Sequence, residues 1–385
     1  MTTDHDLVLH VGMPRASSIV GPALRRLQPQ LRAHGVAYLD GAQLELLPHA
    51  TGWNRDRLTR RKHRADFRHE LAALARAEQQ RAGSLWRRRQ VPVVVAGDQL
   101  LGRGDIGRRD AEQLRPYATD AVSQVVKALS ARNVQIMVHT HRQDRLLELA
   151  YLRRVCSGQH AAIEEYFPDV FEPVLDYRDL VTRLRSVPHV SDVVVRPVEL
   201  ADAGVHAFVH DVLDIFGLRD TLDLYVIGQD LCVYPPVYSA QGAALARAMN
   251  PLVQGAEFTL LQEFLTESYS APVEYGPPEI LDPDARARML ASYAESNRLL
   301  FGEYMPDLPT GSYADDVATF ALGNVLHQPE PRDRTVASRL TVAASARGNR
   351  ASTALRRTGR QMVRQLPRSQ RLRLERLRRR LGQLA

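Results

Sequence analysis

The chain has 385 residues, of which 44% are apolar, and a net charge of +7 at pH 7. It is long enough for one large or two ordinary domains with a substantial core. No run of about eighteen apolar residues is present and the first residues lack the basic and apolar regions of a signal peptide, which argues against a membrane-spanning or secreted protein. Cys156 and Cys232 lie far apart without histidines at ligand spacing, so neither a disulfide framework nor a bound metal is expected.

The charge is unevenly distributed along the chain. Residues 331–385 contain sixteen arginines and two acidic residues, a net charge of +14, so residues 1–330 carry −7. Residues 53–90 are also rich in arginine, but interleaved aromatic side chains are nearly absent there. That pattern is typical of a solvated helix face, so we do not expect a nucleic-acid partner. We expect an acidic cytoplasmic body with a basic tail.

The first predicted unit is a strand, a tight loop and a helix. An apolar run at 7–11 ends at Gly12-Met13-Pro14 and is followed by an amphipathic segment. Ser17 or Ser18 is the predicted cap of this helix, and Gly35 its left-handed end. The first N–H groups of such a helix, together with its dipole, suit a phosphate or sulfate. The loop is a candidate anion cradle, although every strand-to-helix crossover in an α/β protein needs a similar turn.

Three further apolar runs predict buried strands, at 91–96, 134–138 and 192–197. Helical periodicity lies between and after them, near 65–83, 109–131, 146–155 and 205–216. Continuous apolar runs are typical of parallel strands buried on both faces. The alternation predicts an α/β fold with three layers, a parallel sheet covered by helices on both faces. A cap followed by proline at Asp282-Pro283 begins a further helix, and this domain is expected to span 1–325.

Polar and charged side chains follow two of the predicted strands. Asp98 comes directly after the second apolar run, and the third continues into His139-Thr140-His141-Arg142. Because ligands of open α/β sheets bind beyond the carboxyl ends of strands, Asp98 is expected either to face the loop at 12–18 or to cap a helix or turn. Arg142 is a candidate phosphate clamp, and an ion pair with Asp144 or Glu148 is its alternative.

Five segments of this chain, taken in order, resemble the bacterial sulfotransferase-like family. They read Leu-His-Val-Gly-Met-Pro-Arg at 9–15, Ala-His-Gly-Val-Ala-Tyr at 33–38, His-Arg-Gln-Asp-Arg-Leu-Leu-Glu at 141–148, Val-Val-Val-Arg-Pro-Val-Glu at 193–199 and Ala-Glu-Ser-Asn-Arg-Leu at 294–299. The resemblance spans roughly residues 6–305. It implies a P-loop-like sulfotransferase fold and 3′-phosphoadenosine 5′-phosphosulfate as co-substrate. It also implies sulfuryl transfer to a hydroxyl of a glycan or glycolipid acceptor.

The resemblance places the donor on residues from two loops. The 5′ phosphosulfate would lie against the loop after the first strand, on Gly12, Pro14, Arg15, Ser17 and Ser18. The family holds the 3′ phosphate with an arginine and a serine. His141 stands at the position of that arginine, and Arg142 is its substitute.

The donor loop departs from the family pattern, which usually reads Gly-Met-Pro-Lys-Thr-Gly-Thr/Ser-Thr. Arg15 replaces the lysine, Ala16 the first threonine, Ser17 the glycine and Ile19 the last threonine. Leu149 stands where the family has the serine of the 3′ phosphate site. These departures leave a second interpretation open, in which a catalytically degenerate sulfotransferase fold acts as a binding or scaffold module.

Three residues are candidates for the chemistry. Arg15 would stabilise charge on the leaving phosphate, in place of the family's lysine. Asp98 or His139 would accept the proton of the incoming hydroxyl. His10, inside the first predicted strand, is expected to be a packed core histidine.

The C-terminal region is predicted to be a linker and a helix. Residues 326–368 are polar, small and rich in arginine, which is typical of a mobile linker. Residues 369–385 form a basic amphipathic helix with one leucine face, at Leu374, Leu377, Leu381 and Leu384. Such a helix can lie on an anionic membrane, here the inner membrane face. Self-association through the leucine face and docking against the acidic body are the alternatives.

Overall fold

The computed structural model describes residues 5–12, 14–41, 61–83, 93–97, 108–166, 175–218, 222–223, 238–269, 280–315 and 318–319. All of them belong to the first of two units into which the chain divides, Met1–His327; the second is Gln328–Ala385. Asp98, the predicted linker and the predicted basic helix therefore lie outside the described residues. No helix of the described part is long and apolar enough to cross a membrane.

A five-stranded sheet forms the centre of the fold, and all its strands are parallel. The strands are β1 (Leu7–Gly12), β2 (Ala37–Asp40), β3 (Val93–Gly97), β4 (Val134–Thr140) and β5 (Val190–Pro197), in the order β2-β3-β1-β4-β5. Every residue of β1 and β4 is buried, as their continuous apolar runs predict. The predicted α/β class with a parallel sheet is confirmed.

Ten α-helices are present among the described residues. They are α1 (Pro14–Ala33), α2 (Arg61–Gly83), α3 (Arg108–Leu129), α4 (Gln143–Cys156), α5 (Ile163–Tyr166), α6 (Tyr177–Arg185), α7 (Val205–Ile215), α8 (Ala240–Met249), α9 (Ala256–Tyr269) and α10 (Pro283–Tyr304). Short 3-10 helices follow β5, at Val198–Ala203, and α8, at Asn250–Leu252.

Helices cover both faces of the sheet because its connections run in two directions. The chain passes from β1 to β2 one way along the sheet, and from β2 through β3 and β4 to β5 the other way. Right-handed crossovers then place α1 on one face and α2, α3 and α6 on the other. The contacts between helices fit this placement, since α1 contacts α7, while α3 contacts both α2 and α6. Helices α1 and α2 also meet at the edge beside β2, where Arg32 donates to Glu78.

Helix α1 begins earlier than its serines predict. Its first residue is Pro14. Proline suits this position because the N–H groups of a helix's first turn have no partner within the helix, so the N–H that proline lacks is not missed. Ser17 and Ser18 lie inside the helix, where Ser18 Oγ donates to the carbonyl of Arg15 at 2.7 Å. The prediction that either serine caps α1 is therefore wrong. The other end is as predicted, since Gly35 adopts a φ of +74° just beyond Ala33.

The reversal of direction predicts a ligand crevice at the carboxyl edge of the sheet, between β1 and β4. Strands β1 and β4 are neighbours, but β1 leads to β2 on one side and β4 leads to β5 on the other. The connections therefore diverge above the ends of these two strands, which is the position where open α/β sheets bind ligands. The start of α1 and the residues that follow β4 flank this position, which is called the crevice below.

Candidate functional site

A pair of buried histidines lies beside Gly12, near the carboxyl ends of β1 and β4. In the sheet register Gly12 of β1 lies opposite His139 of β4. The Nε2 atom of His10 is 2.7 Å from Nδ1 of His139. A Cβ at position 12 would lie 2.6 Å from Cε1 of His10 and 2.7 Å from Oγ of Ser17. Only glycine fits there, and its missing side chain lets the start of α1 lie directly over the imidazole of His10.

Both imidazoles of the pair are neutral at pH 7. Each ring is completely buried, and the His139 ring also packs on Phe208 of α7 with ring centroids 4.9 Å apart. Burial lowers the pKa of His10 to about 3. Burial also lowers the pKa of His139 far below its ordinary value, and the neighbouring His10 and the charge of Arg196 lower it further, because a proton on His139 would be repelled by any positive charge beside it. His10 is a buried core histidine, as the sequence predicts. The ring of His139 is completely buried as well. The role of His139 as the base stays a prediction.

Arg15 crosses the crevice and pairs with an acidic residue beyond β4. It lies in the first turn of α1, and its guanidinium donates to the carboxylate of Asp202, in the 3-10 helix after β5. Because β4 lies between β1 and β5, the ion pair passes over the carboxyl end of β4. The Arg15 side chain is 10% exposed, whereas that of Asp202 is 53% exposed. The structure therefore places a buried cation at the start of α1, beside the crevice.

A buried carboxylate, Glu199, lies in the same 3-10 helix as Asp202. The backbone N–H of Arg142 donates to one of its oxygens and the hydroxyl of Tyr313 to the other, each at 2.8 Å. Burial raises the pKa of Glu199 to about 7, although the Arg142 N–H, the charge of Arg15 and the Tyr313 hydroxyl all act to lower it. Glu199 therefore titrates near neutral pH.

His141 lies beside Glu199 and is neutral as well. Its Nε2 is 3.7 Å from Oε1 of Glu199. Burial lowers the pKa of His141 well below its ordinary value, and the charges of Arg15 and Arg142 lower it further. The contact with Glu199 is therefore not an ion pair. Among the described residues, the buried Nδ1 of His141 has no hydrogen-bond partner.

Arg142 is an internal ion-pair residue in this structure. Its side chain is 1% exposed, and its Nε and Nη2 donate to the two oxygens of Asp144 at 2.7 and 2.8 Å. Its Nη1 donates to the hydroxyl of Thr319 at 3.0 Å. The geometry therefore favours the ion pair over the phosphate clamp, because the guanidinium is buried against its own carboxylate.

The ion pair of Arg142 extends into a larger buried network. Arg286 of α10 lies 3.3 Å from Asp144 and donates to Glu148 at 2.8 Å. Glu148 also accepts the backbone N–H groups of Ile280 and Leu281, at 2.8 and 2.9 Å. These contacts fasten the start of α10 to α4, and so hold the loop after β4 in place.

Sequence reasoning did not single out Asp202, Glu199 or Tyr313 as site residues. Glu199 and Asp202 follow β5 within five residues. The rule that placed Asp98 and Arg142 at strand ends therefore applies to them as well. Tyr313 comes from beyond α10, and no local pattern marks it.

Within the described ranges no group of three or more histidine, cysteine or acidic side chains is arranged to hold a metal ion.

The pKa of Glu199 predicts how stability changes with pH. Between its ordinary value of 4.5 and about 7, the folded state keeps a proton that the unfolded state has lost. The free energy of unfolding therefore falls as pH rises through this window, by about 2–4 kcal/mol for this group. Replacing Glu199 with glutamine should remove that fall. Urea unfolding of both proteins at pH 5 and pH 8 measures it, and a difference between them that does not change with pH would contradict the prediction.

Comparison with known proteins does not assign this chain to a family. No family model, no curated protein and no solved structure matches the chain. What can be inferred about function therefore rests on the strand order, on the loop after β1 and on the side chains around the crevice.

Proposed function

We propose that the protein transfers a sulfuryl group from 3′-phosphoadenosine 5′-phosphosulfate to a hydroxyl of a carbohydrate or lipid-linked acceptor. The observation that carries the proposal is the position of Arg15. It lies in the first turn of a 20-residue helix, directly after the central strand and above the crevice between β1 and β4. A helix N-terminus with a cation beside it is an anion-binding arrangement.

The chemistry of sulfuryl transfer matches such a site. The acceptor oxygen forms a bond to sulfur while the bond between sulfur and the 5′ phosphate oxygen breaks, so negative charge grows on the leaving phosphate. The first N–H groups of α1 and the guanidinium of Arg15 would stabilise that charge. Pro14 begins the helix, Ser17 completes its first turn and Ser18 follows it. Asp98 remains the proposed base, since it follows β3.

The 3′ phosphate of the donor would lie near the loop after β4. His141 is the proposed contact, because its Nδ1 is buried without a hydrogen-bond partner among the described residues. Arg142 is already bonded to Asp144, so the proposal assigns it the positioning of this loop. A neutral imidazole donates one hydrogen bond, which is weaker than the contact an arginine would make.

A second candidate function is binding without turnover. It is favoured by Arg15 and Arg142, since each already has an acidic partner within the chain. In this interpretation the chain keeps a sulfotransferase-like fold without catalytic activity, and it acts as a binding or scaffold module.

Calorimetric titration with 3′-phosphoadenosine 5′-phosphate separates the two functions. Micromolar binding supports a donor site, and adenosine 5′-phosphate, which lacks the 3′ phosphate, serves as the matched control ligand. Absence of binding at millimolar 3′-phosphoadenosine 5′-phosphate would contradict the transferase and favour the second function.

We propose further that residues 369–385 bring the protein to an anionic membrane surface. In the helix predicted from the sequence their arginines would surround a leucine face, and each basic residue near such a surface adds about 1 kcal/mol of binding free energy. The full-length protein is expected to sediment with anionic vesicles at low salt and to be released as salt rises. Removal of residues 331–385 should abolish sedimentation, and neutral vesicles are the control. Equal sedimentation of the truncated protein would contradict the proposal.

A further inference from the structure

The partner of Arg15 is an exposed residue on a different element. Arg15 is largely buried, and a buried guanidinium needs a counter-charge because its loss of hydration is otherwise uncompensated. Asp202 supplies that charge from the 3-10 helix after β5, 187 residues along the chain. The Asp202 side chain is about half exposed. Its carboxylate can therefore return to water at little cost if another anion takes its place on Arg15.

The ion pair occupies the place that a ligand anion would take. It crosses the end of β4 next to the first turn of α1, where a phosphate or sulfate group would accept the helix N–H groups. The pKa values of His141 and Glu199 both respond to the charge of Arg15, so all three groups lie in one electrostatic neighbourhood. A second anion at this guanidinium would be repelled by the carboxylate of Asp202.

We propose that Asp202 is an internal competitor for the anion site. Its carboxylate neutralises Arg15 while the crevice is empty and leaves Arg15 when a phosphate or sulfate group binds. The inference rests on the proposed function in placing that group beside Arg15, and it adds a means of regulation: the ligand must displace a resident carboxylate. Binding is then weaker than the helix and Arg15 by themselves would allow, and any contact that draws Asp202 away tightens it.

The test compares sulfate binding by the wild-type chain and by Asp202→Asn. Thermal unfolding is followed against inorganic sulfate, with chloride used to keep the ionic strength constant, and the sulfate dependence of the midpoint reports the affinity. Asp202→Asn is expected to bind sulfate about two- to fivefold more tightly, since the removed competitor is a half-exposed carboxylate in an ion pair. The matched control is Asp307→Asn. It neutralises a carboxylate of similar exposure, 58%, which lies 3.7 Å from Arg196, and it should leave the sulfate affinity unchanged.

Other results would overturn the inference. Sulfate affinity that is unchanged or reduced in Asp202→Asn excludes competition. A loss of stability that sulfate does not restore, seen also in Asp202→Ser, shows that the carboxylate is a structural partner of Arg15 only. Titration with 3′-phosphoadenosine 5′-phosphate distinguishes this failure from that of the proposed function. If Asp202→Asn gains sulfate affinity while neither protein binds the nucleotide, the competitor stands and the donor assignment falls.

Discussion

Replacing Arg15 with alanine is expected to weaken binding of 3′-phosphoadenosine 5′-phosphate by about 1.5–3 kcal/mol, the range for hydrogen bonds to charged groups. In the proposed transfer reaction the variant should lose about 2–4 kcal/mol of transition-state stabilisation, because the charge on the leaving phosphate grows as the bond to sulfur breaks. The half-exposed carboxylate of Asp202 then has no guanidinium beside it and repels the incoming anion, which adds to the loss.

Calorimetry with the nucleotide measures this effect without any knowledge of the acceptor. The matched control is Arg183→Ala on α6, which removes a half-exposed arginine paired with Asp179 at 2.9 Å, away from the crevice. Nucleotide affinity that is the same in Arg15→Ala and in the wild-type chain would remove Arg15 from the donor site. The control also lowers the net charge by one. If Arg15→Ala and Arg183→Ala lose the same small amount of nucleotide affinity, the loss reflects the change in net charge and not a contact with the nucleotide.

Replacing Asp144 with alanine is expected to cost about 3–5 kcal/mol of stability, because it leaves a buried charge without its partner. The guanidinium of Arg142 is 1% exposed and takes two hydrogen bonds to this carboxylate, and Arg286 lies 3.3 Å from it. The variant cannot rehydrate either arginine without opening the junction between α4 and α10. The start of α4 also loses an acidic residue from its first turn, which the helix dipole favours.

Urea unfolding provides the free energy for this comparison. Asp179→Ala is the matched control, since it removes an aspartate from an exposed ion pair on α6 and should cost less than about 1 kcal/mol. A second variant, Asp144→Asn, keeps the shape of the side chain and should lose most of the same stability. If Asp144→Ala proves no more costly than the control, the network around Arg142 is not a structural anchor of the loop after β4.

The sequence by itself determined four of the five strands and the ends of several helices. Strands β1 and β4 are buried along their whole length, because a parallel strand covered on both faces needs side chains that tolerate burial on both. The apolar runs also marked β3 and the edge strand β5, in which buried and partly exposed residues alternate from Val193 onward. Local chemistry marked Gly35 after α1, with a φ of +74°, and Asp282, whose carboxylate accepts the N–H groups of Asp284 and Ala285 at the start of α10. These features depend on neighbours a few residues away, which a sequence displays directly.

Other local features were missed for a physical reason. Strand β2 has only four residues, Ala37–Asp40, which is too short to establish a period. Helices α8 and α9 lie in a part of the chain without clear helical periodicity, since tertiary packing can stabilise a helix whose own pattern is weak. The start of α1 was set by Pro14 and by the close approach of His10 to Gly12, so the serines that were predicted to cap it lie inside the helix.

Only the tertiary structure decided which charged groups meet at the crevice. His10 pairs with His139 across 129 residues of chain and Arg15 with Asp202 across 187, and both pairings follow from the strand order β2-β3-β1-β4-β5. Apolar runs identify strands, but they carry no record of which strands are neighbours, because every buried parallel strand has the same pattern. The choice of Arg142 between a phosphate and Asp144 was decided in the same way. Its guanidinium is buried against Asp144 of α4 and Thr319, and a buried charge there is stable only beside its own carboxylate.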